Sequence, residues 1–138
     1  MKKTVTLFLT AVLMLCSLSL CGCSSDGYTS SYNAKSFVQS SSDNAASMSF
    51  TEFQGVKVFQ INFKDGYSKS LLYNIRLEVG TATVYYDTDG EKKELTTVTA
   101  GKSVNSSLEN LTCSSMYIIV ETSEKCLNGN FSFEAKVL

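Results

Sequence analysis

The sequence predicts an all-β protein: an antiparallel β-sandwich of roughly seven or eight short strands, preceded by a signal-peptide helix and a flexible tether. Three observations carry that expectation. After Ala46 the apolar residues recur at every second position, the period of a strand with one buried face. Asp-Gly pairs and lone glycines punctuate those runs, as hairpin turns do. No stretch after residue 22 repeats apolar residues at the spacing of a helix. A small closed barrel is the competing architecture.

Taken in order, the 138 residues divide into segments 1–22, 23–45 and 46–138. The first opens on Lys2-Lys3, continues through the apolar run Val5 to Leu20, and ends at the small residue Gly22 before Cys23. That is the order of a charged region, an apolar region and a small-residue cleavage site. The apolar run is shorter than the ~20 residues a helix needs to cross the hydrocarbon core, so it reads as a signal peptide rather than a permanent span.

The stretch Leu20-Cys21-Gly22-Cys23 resembles the bacterial lipobox, and an ordinary secretory signal is the competing reading. Of the three cysteines here, Cys16 and Cys21 follow leucines, and only Cys23 follows a small residue. The resemblance implies that Cys23 takes a thioether-linked diacylglyceryl group and becomes the first residue of the mature chain. Cys21 departs from the family, which more often has Ala, Ser, Thr or Val there. Two acyl chains hold a protein stably where one binds only marginally, at ~0.8 kcal/mol per buried methylene. The resemblance therefore implies a cell-membrane protein, lipid-anchored on the extracytoplasmic side.

Residues 24–45 are mostly Ser, Asn, Asp, Gly and Tyr, with a small apolar cluster at Phe37-Val38. This composition predicts a flexible tether whose r.m.s. reach is ~25 Å.

Within 46–138, Met48 and Phe50 start one strand, and Phe59, Ile61 and Phe63 line a face of the next. Leu71, Tyr73, Ile75, Leu77 and Val79 alternate with Asn74, Arg76 and Glu78; Phe131, Phe133, Ala135 and Val137 alternate with Ser132, Glu134 and Lys136. A two-residue turn at Gly80-Thr81 would pair Leu77 with Val84 and Ile75 with Tyr86. A type I′ turn at Asp89-Gly90 would set Val84 opposite Leu95 and Tyr85 opposite Glu94. Residues 71–98 are therefore expected as a three-stranded meander. The same test fails at Asp65-Gly66, where a two-residue hairpin would invert the core side of the next strand. Either a bulge lies there or the chain crosses to a second sheet.

Composition excludes several chemistries. Without any histidine, Ser-His-Asp and Cys-His nucleophile arrangements and His-containing zinc sites cannot form. No recognisable nucleophile or metal constellation remains, so an enzyme is not expected and no cofactor or metal is assigned. Asp87-Thr88-Asp89-Gly90 resembles part of a calcium loop but lacks the remaining ligands and reads as a turn. Removing residues 1–22 takes away Lys2 and Lys3 but no carboxylate, so the net charge moves from −1 to −3. Nothing in that balance draws nucleic acid. The sequons at Asn105, Asn110 and Asn130 are idle in a bacterial setting.

An exported compartment permits a bridge between Cys113 and Cys126, but a strand over 116–121 would separate them by ~20 Å unless the chain folds back. Two buried free thiols are the expected state. If Asn128-Gly129 closes a tight turn, Cys126 shares the core side with Phe131.

These readings lead to an anchored domain that binds an envelope partner, either a protein or a glycan. The candidate surface is the outward row of the meander: Asn74, Arg76, Glu78, Thr83, Tyr85 and Asp87, with Arg76 over the Tyr85 ring. The alternative is a structural or accessory subunit of a membrane-associated assembly, which would need a contiguous apolar patch.

Overall fold

A computed structural model describes residues 27–65 and 69–137, and every regular element among them is a β-strand. In chain order these are β1 (Ser31–Lys35), β2 (Val38–Ser41), β3 (Ala45–Asn62), β4 (Lys69–Val79), β5 (Thr81–Asp87), β6 (Lys93–Thr99), β7 (Lys102–Leu111) and β8 (Ser115–Val137). Their pairings are all antiparallel. The signal peptide and Cys23 lie outside the described residues.

Two long strands fold over to make the sandwich. β3 and β8 pair from Ala45 with Glu134 to Asn62 with Ser115, and their register slips between Phe53 and Gly55. Gly55 has φ 128°, and a β-carbon there would collide with the Ser31 carbonyl, so the bulge requires glycine. Past this point β3 returns until the Asn62 amide donates to the Asp43 carbonyl at 2.7 Å. One folded pair thus supplies the middle of both layers. The first sheet is β2, the early half of β3, the late half of β8, β4 and β7. The second is the late half of β3, the early half of β8, β5 and β6, with β1 pairing across the bend at 52–56. Among the described residues β6 and β7 pair on one side only, which leaves the sheets open rather than closed into a barrel.

The inward faces meet in a core that includes Met48, Phe53, Ile75, Leu77, Val84 and Ile118, each at most 1 % exposed. Phe59 of one sheet and Phe133 of the other sit 6.4 Å apart between ring centres, an aromatic contact across the layers. At the bend Phe53 packs against Tyr32, Phe37 and Phe50 at 5.3, 6.1 and 5.2 Å.

Several sequence expectations are corrected by these pairings. Part of the expected tether is structured: β1 and β2 occupy 31–35 and 38–41. They are edge strands with one neighbour each, so their sequences carry little apolar alternation. Met48-Phe50 and Phe59-Ile61 belong to one strand, as do Ile118-Val120 and Phe131-Phe133, because bends replace the expected turns. Gly80-Thr81 closes no hairpin: β4 lies between β7 and β8, and β5 lies between β6 and β8. The meander reduces to the β5–β6 hairpin, where Tyr85 does face Glu94, but Val84 faces Thr96 because a bulge absorbs Leu95. Val79, expected inward, is 47 % exposed where the chain leaves the first sheet. The link containing Asp65 carries the chain from the second sheet to the first, the crossing that the failed hairpin register allowed.

Candidate functional site

The six residues of the expected binding face are divided between the layers. Asn74, Arg76 and Glu78 project from the outer side of β4 in the first sheet, whereas Thr83, Tyr85 and Asp87 belong to β5 in the second. Arg76 does not reach Tyr85. It lies 3.8 Å from Glu78, and the ring of Tyr85 is instead covered by Lys92 at 4.3 Å.

Asp87 is an organising residue rather than an exposed contact, being only 6 % exposed. Its Oδ1 accepts the amides of Asp89 and Gly90 at 3.0 and 2.6 Å, which shapes the five-residue link to β6 in place of a two-residue turn. Its Oδ2 accepts the Tyr28 hydroxyl at 2.6 Å. Burial would push the Asp87 carboxyl up. The hydrogen bonds from Tyr28 and from the amides of Gly90, Asp89 and Glu91 outweigh it and hold the group below its ordinary value. The same bond, with burial and the carboxylate charge, pushes Tyr28 up to about 12. Tyr28 also packs edge-on against Tyr117 at 5.5 Å. The outer side of the second sheet is thus occupied by the protein's own chain at Asp87 and Tyr117.

The first sheet's outer side is open. Register places Ser40, Ser47, Ser132, Asn74 and Asn105 opposite one another on β2, β3, β8, β4 and β7. Alternation points Ser47, Ser132 and Asn74 outward, because their neighbours Ala46, Met48, Phe131, Phe133, Tyr73 and Ile75 turn to the core, and register sets Ser40 and Asn105 on the same side. At ~4.8 Å per strand the row is ~19 Å long. Beside it runs a second row, Ala45, Glu134, Leu72 and Ser107, which contributes an apolar spot at Leu72, 39 % exposed. Glu134 is paired with Lys136 at 2.6 Å. The first row and, from the second, Ala45, Glu134 and Leu72 line a groove of about 330 Å³, within the range of small-molecule sites. Of the expected residues, Asn74 lies in it. Ser40, Ser47, Asn105 and Ser132 were missed, because only the pairing of β2, β3, β8 and β7 with β4 brings them together.

A second hollow, near the bend, is lined by Lys35, Glu52 and Lys125. Its charges are spent on each other: Glu52 pairs with Lys35 at 3.1 Å and lies 3.8 Å from Lys125. The Lys35 hydrogen bond holds the Glu52 carboxyl below its ordinary value. Among the described residues no group of three Cys, Asp or Glu side chains is placed to hold a metal ion.

No family model and no curated protein matches the chain. Three similar solved structures are a family 29 carbohydrate-binding module complexed with mannohexaose, TmCBM61 in complex with β-1,4-galactotriose, and a CBM4 module. The first has a TM-score of 0.44 and 15 % identity, covering 80 % of this chain and 82 % of that one. The second has 0.43 and 15 %, covering 81 % and 72 %. The third has 0.36 and 8 %, covering 75 % and 81 %. Similarity at this level defines neither a family nor a ligand for this chain. What the fold and groove define is an antiparallel β-sandwich with one outer sheet face open and polar.

Proposed function

We propose that the protein is a lipoprotein anchored through Cys23 on the extracytoplasmic side of a membrane, and that its first sheet binds an uncharged, hydroxyl-rich glycan. The observation that carries the binding reading is the row Ser40, Ser47, Ser132, Asn74 and Asn105 across five strands. Hydroxyls and carboxamides both donate and accept hydrogen bonds, as sugar hydroxyls do. The inter-strand spacing, ~4.8 Å, is close to the rise of one pyranose in an extended chain, so a glycan lying across the strands meets one polar side chain per sugar. The one carboxylate in the groove is held by Lys136, which suits binding a neutral ligand without turning it over.

The accessory-subunit reading has less support. Among the described residues, the exposed large apolar side chains Val38, Leu72 and Val79 fall on three different rows of the first sheet, not on one patch. The test is a glycan array probed with the detergent-solubilised full chain, beside Asn74→Ala and Asn105→Ala. Oligosaccharide hits that both substitutions weaken support the reading. An array without hits, or hits indifferent to both substitutions, overturns it.

A further inference from the structure

The residues just ahead of β1 are built into the fold, and their path fixes where the chain departs from the domain. Tyr28 crosses Tyr117 to reach Asp87, and the Ser30 hydroxyl accepts the Val58 amide at 2.9 Å. These two attachments lie two residues apart, on three different strands of the second sheet. Between those strands sits Ile119, opposite Val58 and Tyr85. Its neighbours Ile118 and Val120 belong to the core, so Ile119 points outward, yet it is only 1 % exposed. The outer side of the second sheet is therefore covered around Ile119. A β-carbon on Gly27 would lie 4.0 Å from the Tyr117 hydroxyl, so the chain still runs over this face at the start of the described residues.

The geometry points to this outer side of the second sheet as the side that meets the lipid bilayer, with the groove on the first sheet turned away from it. This rests on the anchoring at Cys23 proposed above. Cys23 precedes Gly27 by four peptide units, which reach at most about 15 Å in any conformation. That replaces the ~25 Å expected of a 22-residue tether. The first sheet stands ~10 Å behind the second. A lipid on Cys23 thus keeps the strapped face within reach of the headgroups and holds Asn74 and Asn105 on the far layer. Most of the charges beside the strap are compensated within the protein: Lys92 pairs with Glu121 and Lys93 with Asp89 at 3.2 Å, while the Glu94 carboxylate accepts the Thr97 hydroxyl at 2.8 Å.

The test uses the full lipid-bearing chain in vesicles containing nickel-chelating lipids, with single spin labels introduced through Gln60→Cys, Thr97→Cys, Ser103→Cys and Ser107→Cys. All four positions are exposed, the first two on the second sheet and the last two on the first. Cys113→Ser removes the half-buried thiol, Cys126 is buried, and a lipidated Cys23 is blocked by its thioether. Faster relaxation by surface nickel at 60 and 97 than at 103 and 107 is expected. Tyr28→Phe with Asp87→Asn should narrow that difference. Equal or reversed relaxation in the unmodified strap overturns the orientation, even if the double variant fails to fold. Protein that does not stay with the vesicles overturns the anchoring itself. A failure of glycan binding would leave the relaxation pattern untouched.

Discussion

The Tyr28 hydroxyl donates a 2.6 Å hydrogen bond to Asp87 across 59 positions of sequence, tying the first described residues to β5 of the second sheet. Hydrogen bonds to charged groups contribute ~1.5 to 3 kcal/mol, and with Tyr28 half-exposed the lower part of that range applies. Tyr28→Phe should therefore lower stability by about 1 to 2 kcal/mol in denaturant titrations near neutral pH.

The pH dependence of that loss has a definite sign at each end. Asp87 is held below its ordinary 3.8, so its share of stability is present above that pH and disappears as the pH falls through the depressed value. Tyr28 is pushed up from 10.0 to about 12, so its share is complete below pH 10.0 and disappears as the pH rises through about 12. Unfolding curves of the parent and Tyr28→Phe should converge at both extremes. A difference independent of pH would show that packing, not the hydrogen bond, holds the strap.

Gly129 lies in the middle of β8 with the Phe50 ring against it, where a β-carbon would overlap the ring. Phe50 is itself hemmed in by Phe53 and Phe131 at 5.2 and 6.0 Å. Gly129→Ala should cost about 1 to 3 kcal/mol from overpacking, and Gly129→Ala with Phe50→Leu should recover part of it. Thermal unfolding of the pair against the single variant measures the coupling.

Cys126 is fully buried, with its Sγ 3.4 Å from the Thr81 carbonyl, and burial pushes the thiol up. Cys113 is half-buried, and both are free thiols. Maleimide should label Cys113 in the native protein and Cys126 only after unfolding. Prompt labelling of both, or a Cys113–Cys126 linked peptide, would contradict this arrangement.

Alternation made the strand faces legible and their neighbours illegible. Leu71, Tyr73, Ile75 and Leu77 are buried as their period requires. Yet any antiparallel strand of the right parity satisfies that period, so β5 looked as acceptable beside β4 as β7 and β8 do. The groove suffered most, since four of its five row residues come from strands distant in sequence. Cys126 was placed in the core through a turn at Asn128-Gly129 that does not exist; the bent strand β8 buries it instead. At the start of the chain, Tyr32 and Phe37 are the signal for β1 and β2. The polar residues around them hide it, because an edge strand needs few apolar contacts to pair.

Glycan binding along the first sheet's outer row can be read residue by residue, by chemical-shift mapping of the isotope-labelled protein during titration with an oligosaccharide from the array. Saturable shifts concentrated at Ser47, Asn74, Asn105 and Ser132 are expected, lost in Asn74→Ala. Shifts confined to the second sheet around Tyr85 and Glu121, or shifts at the groove that persist unchanged in Asn74→Ala, would contradict it.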